Sequence, residues 1–94
     1  MFVLAYEVEL HVGSSQSLKD KRQVVKGLLD GSRRRFGVSA SEIGFQDQWQ
    51  RALLGFAVVA STQGLATEIM DKVDRFVWSH PELDVVRTDR RWLE

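Results

Sequence analysis

The chain has no cysteine among its 94 residues. That one absence removes disulfides, thiolate nucleophiles and zinc–thiolate sites. No apolar run approaches the roughly 18 residues of a membrane span. The apolar start, Phe2 to Val12, lacks a basic leader and is broken by Glu7 and Glu9, so it does not read as a signal peptide. These absences together fit a cytoplasmic protein with no membrane partner. Net charge is also lacking: thirteen basic side chains balance thirteen acidic ones, which argues against a protein that coats nucleic acid nonspecifically. No linker, repeat or low-complexity segment interrupts residues 1–94, so they read as a single domain with one modest core. No motif of a known catalytic chemistry occurs, and the sequence is read as non-enzymatic, with no cofactor.

The balanced charge is unevenly distributed. Between Ser17 and Arg35 stand Lys19, Lys21, Arg22, Lys26, Arg33, Arg34 and Arg35 against only Asp20 and Asp30. The rest of the chain carries six basic and eleven acidic residues. The molecule is therefore polarised, and polarisation steers encounters even at zero net charge.

Hydrophobic periodicity orders the elements. Phe2, Leu4, Tyr6, Val8, Leu10 and Val12 alternate with other residues at the period of two that marks a strand. Gly13-Ser14-Ser15 ends it. Ser17 is placed as an N-cap, with Asp20 in the capping-box position. Leu18, Val25, Leu29 and Phe36 then fall on one line of a helix, roughly 27 Å long at 1.5 Å per residue. Gly37 is placed to cap its end. Val38 to Phe45 reads as a weaker strand and "DQWQ" (47–50) as a connection. "ALLGFAVVA" (52–60) reads as a central strand. Ser61-Thr62 offers a second N-cap, and Leu65, Ile69, Val73, Phe76 and Val77 mark a second helix that ends before Pro81, the single proline. Val85 to Trp92 closes the chain as a strand. The order β-α-β-β-α-β predicts an α+β, ferredoxin-like fold: a four-stranded antiparallel sheet in the order 4-1-3-2 with two helices on one face.

"SLKDKRQVVKGLLD" (17–30), "FQDQWQRALLGFAVV" (45–59) and "MDKVDRF" (70–76) resemble the YlxP-like family of small bacterial proteins. The resemblance spans nearly the whole chain. It rests on Ser17, Leu18, Lys19, Asp20, Lys21 and Arg22, then on Gln46, Asp47, Trp49, Gln50 and Arg51. It implies a ferredoxin-like fold. Because genes of the family lie beside those for translation and ribosome-maturation factors, it also implies a connection to RNA or a ribosomal assembly. It supplies no catalytic residues. Gly27 and Gly31 depart from the helix formers usual in the family.

Five features are weighed for function. Arg22, Arg33, Lys26 and Lys19 lie at about 40°, 60°, 80° and 100° around the helix from Leu18. They form one ridge that could follow a phosphate backbone, or an ordinary solvated face whose stems cover the core edge. Trp49 and Arg51, in "QDQWQR", offer stacking and polar contacts of the kind that hold single-stranded bases. The competing expectation is that Trp49 folds under the sheet end while Asp47 pairs with Arg51. Glu7, Glu9 and His11 share a strand face. They are either part of a metal or enzyme site lacking further ligands, or a charged face paired with Arg87 and Arg91; no metal site is assigned. The run "LGFAVVAS" (54–61) partly matches an RNA-recognition core, but Leu54, Val58 and Ser61 replace its basic and aromatic positions, and a core strand explains it. Finally, both parities of the third strand are apolar, and helices cover only one sheet face. This predicts a partly apolar open face suited to a two-fold homodimer.

Overall fold

The computed structural model describes residues 1–94. Its elements are β1 (Phe2–His11), α1 (Leu18–Phe36), β2 (Ser39–Gly44), β3 (Arg51–Ala60), α2 (Gln63–Trp78) and β4 (Asp84–Trp92). The strands form one antiparallel sheet in the order β2-β3-β1-β4. This is the expected 4-1-3-2 order read from the other edge, and the fold is ferredoxin-like. The expected strand at 38–45 is one residue shorter at each end, and β3 begins one residue earlier, at Arg51.

Alternation decides which side of the sheet is covered. Leu4, Tyr6, Val8 and Leu10 on β1, and Ala52, Leu54, Phe56, Val58 and Ala60 on β3, are all buried. They meet Val25, Leu28 and Leu29 of α1 and Ala66, Met70, Val73 and Val77 of α2 in a single core. In register, Tyr6 lies opposite Phe56, and the two rings stack with centroids 5.9 Å apart. Burial, reinforced by a hydrogen bond to Asp74, pushes the Tyr6 hydroxyl well above the ordinary tyrosine range. It therefore remains a donor and ties β1 to α2.

The helix ends follow their caps. The Ser17 hydroxyl accepts from the Asp20 amide at 3.1 Å. Asp20 reaches back one residue beyond the cap, to the Gln16 amide at 3.1 Å. Gly37 adopts φ 67°, and its amide bonds Arg33 O to close α1. Thr62 caps α2 by accepting from the Leu65 amide.

The two glycines of α1 have different surroundings. A Cβ on Gly31 would stand 2.8 Å from the Phe76 ring, so this glycine lets α2 approach closely. Phe76 is held there between Phe36 and His80, whose Nδ1 lies 2.7 Å from Phe76 O. A Cβ on Gly27 would meet nothing within 4 Å.

The opposite sheet face carries no helix. It presents Val59 at 63% exposure and Ile43 at 48%. Around Ala5, Gly55, Ala57 and Ser41 the small side chains leave a shallow depression of about 300 Å³. Neither helix is long and apolar enough to cross a membrane.

Candidate nucleic-acid interface

The basic surplus of α1 is sorted by the structure into three groups. Lys21 leaves the surface altogether: it is 0% exposed. Its ammonium donates to Phe45 O at 2.8 Å, Arg51 O at 3.1 Å and Gln46 O at 3.3 Å. Three carbonyls use all three of its protons. Glu42 Oε2, 2.9 Å away, neutralises the charge without taking a hydrogen bond. Lys21 thus clamps both ends of the β2–β3 connection onto the first turn of α1.

Lys26 and Arg33 form the second group. Both engage Asp30, at 2.6 and 2.9 Å, and Arg33 also donates to Ala40 O on the edge strand β2. The hydrogen bond from Lys26, with Arg33 adding its charge, holds the Asp30 carboxyl below the usual carboxylate range. The pairs consequently persist at neutral and mildly acidic pH. The expected four-residue ridge is present as a line of exposed side chains, but two of its members share one counter-charge.

Lys19, Arg22, Arg34 and Arg35 make up the third group. All are exposed and none has an acidic partner. Arg35 lies over the Phe76 ring, 4.8 Å from its centroid.

The β2–β3 connection is the second part of the candidate interface. Phe45 sits at φ 57°, a left-handed conformation uncommon for a large side chain. The Lys21 clamp on its carbonyl and the Gln48 amide, 3.0 Å from the same oxygen, hold it there. The Val12 amide bonds Gln50 O at 2.9 Å, and the Gln50 side chain donates to Ser15 O at 3.3 Å. On this tethered loop Trp49 is 48% exposed. It does not fold under the sheet end, and Asp47 does not pair with Arg51. The Arg51 guanidinium instead lies 3.8 Å over the Phe45 ring and bonds Glu9 at 3.1 Å. His11, Asp47, Gln48, Trp49, Gln50 and Arg51 surround a cleft of about 430 Å³ at this end of the sheet.

The open-face carboxylates are engaged or mutually opposed. Glu9 is met by Arg51 and by Arg87 at 3.8 Å. His11 pairs with Asp84 at 3.4 Å. Arg91 stands opposite Ala5, and not opposite either glutamate, while Glu7 faces Asp89. No three His, Asp or Glu side chains come close enough to hold a metal ion.

A family model described as a protein of unknown function (DUF503) matches residues 3–90. The chain belongs to this family. A curated relative, the uncharacterized protein YlxP of Bacillus subtilis (strain 168), is 38% identical over 87 residues, covering 93% of this chain and 95% of the relative. The DUF503 chain also superposes on a de novo designed protein with a ferredoxin fold, solved by NMR. The TM-score is 0.57 with 14% identity, and all of this chain and 87% of the other are covered. That likeness concerns the fold alone.

Lys21 is the buried clamp that sequence reasoning missed. Its signal was positional: it lies four residues before Val25 and seven before Leu28, both buried, and so on the buried stripe of α1.

Proposed function

We propose that the protein is a non-enzymatic cytoplasmic module that docks on the phosphate backbone of RNA, alone or within a ribosomal assembly, through the outer surface of α1. The supporting observation is the charge left after internal pairing. Lys21 and Glu42 cancel inside the molecule. Six exposed cations remain on α1, at Lys19, Arg22, Lys26, Arg33, Arg34 and Arg35, against the carboxylates of Asp20 and Asp30. Phosphate contacts of this kind release counterions, so binding falls with salt in proportion to the number of contacts. Replacing Lys19 and Arg22 together by Gln should weaken RNA binding and flatten the log–log salt slope by about 1 to 2. Asp30→Asn should act oppositely, freeing Lys26 and Arg33 to steepen the slope. Gel-shift titrations at several salt concentrations check both. An affinity and slope untouched by either change defeat the reading.

A second reading draws on the open sheet face. Its depression, bordered by exposed Ile43, suits a homodimer in which two sheets meet, with the charged ends of β1 and β4 at the rim.

A further inference from the structure

We propose that the cleft at the sheet end, bounded by Trp49, Asp47 and His11, holds one unstacked guanine of a single-stranded RNA; this rests on the RNA-docking reading and adds a base preference to it. Three observations converge. First, Trp49 is half exposed on a loop that is tied down from both sides, although a tryptophan is ordinarily mostly buried. The loop that carries it is held in place by Lys21 and Gln50, and the exposed ring offers a face on which a base can stack.

Second, the rim has a defined polarity. Arg51 is already committed to Glu9 and to the Phe45 ring. That leaves Asp47 as an exposed carboxylate in the cleft with no ion-pair partner. A carboxylate only accepts. Guanine alone presents two adjacent donors, N1–H and the exocyclic amine, on its Watson–Crick edge. Adenine and cytosine place a ring acceptor beside their amine, and uracil flanks N3–H with two carbonyls. A lone carboxylate beside a stacking ring thus favours guanine.

Third, the loop that carries the cleft is tied to the first turn of α1, the helix that bears the free cations, by the bonds from the Lys21 ammonium to Phe45 O, Gln46 O and Arg51 O. A strand whose base enters the cleft can continue from there onto α1 with its phosphates.

The test uses labelled RNA octamers, one all-uridine and one with a single central guanosine, titrated against the full chain by fluorescence anisotropy. The guanosine strand should bind about tenfold more tightly, the scale of one bidentate contact. Asp47→Asn should erase that ratio; the residue is exposed, so folding is not at stake, and a thermal melt confirms it. Trp49→Ala should weaken both strands. The Lys19→Gln, Arg22→Gln double variant should weaken both equally and keep the ratio. Equal wild-type affinities, or a ratio that survives Asp47→Asn, overturn the guanine site while leaving backbone docking in place. Absence of binding to either strand overturns both. Free GMP should compete only at millimolar concentration, and displacement at micromolar GMP would mark a mononucleotide pocket and overturn the strand reading.

Discussion

Lys21 shows how one side chain decides what its neighbours can do. A buried ion pair is costly to assemble, but removing one partner leaves an uncompensated charge and unpaired carbonyls inside the domain. Lys21→Met should therefore destabilise the fold by about 3–5 kcal/mol, measured by urea denaturation, although methionine fits the apolar stripe by size and polarity. A loss below about 1 kcal/mol would mean that water replaces the ammonium at Phe45, Gln46 and Arg51. Asp30 illustrates the opposite case. Its partners sit at i−4 and i+3 on one helix, so this neutralisation of the ridge was legible from spacing alone. The partner of Arg51, Glu9, is 42 positions away in sequence. Only strand register brings the two together, and no local pattern in the sequence carries that information.

At the scale of elements, α1 is the most informative segment. Ser17, the apolar line from Leu18 to Phe36, and Gly37 delimit it from sequence, and the structure places the helix over Leu18–Phe36. Of its two glycines, Gly31 resisted interpretation because its meaning lies on α2, where Phe76 packs against it. Gly27→Ala should stabilise the protein by up to about 1 kcal/mol, since the new methyl meets nothing and the helix loses a flexible residue. Gly31→Ala should destabilise it by about 1–3 kcal/mol, because the methyl pushes into Phe76. Thermal melts of the two variants should move in opposite directions, and a shared direction would contradict the helix packing described. The strands were read equally well where alternation is strict, as on β1. They were read less well at β2, where Val38 is buried yet lies outside the ladder. The left-handed Phe45 had no signal at all, since glycine or asparagine is the usual mark of that conformation.

For the whole molecule, topology leaves two questions that charge alone does not answer. Both helices cover one face, and the other holds exposed Val59 and Ile43 beside a row of small residues. If two such faces meet, sedimentation equilibrium at micromolar concentration should give twice the 10.8 kDa chain mass, with little response to salt. Val59→Asp should then return it to the monomer, and a monomer at both low and high salt removes the dimer reading. RNA docking by α1 does not depend on the outcome, because α1 lies across the sheet from that face. The ferredoxin-like order was legible because the two most apolar runs had to be central. Which charges stay free at the surface was less so, because that depends on which ones the fold pairs internally.

The Lys21 clamp also sets how the molecule breathes. A surface turn ordinarily opens by itself, at a small fraction of the global unfolding free energy. Here, lifting residues 45–51 away strips three carbonyls from a buried ammonium and leaves it only the Glu42 carboxylate. The turn therefore belongs to the same cooperative unit as the core. The Gln48 amide, bonded to Phe45 O, should exchange with solvent hydrogen only when α1 itself comes away, which makes this tryptophan-bearing loop one of the last parts of the chain to move alone.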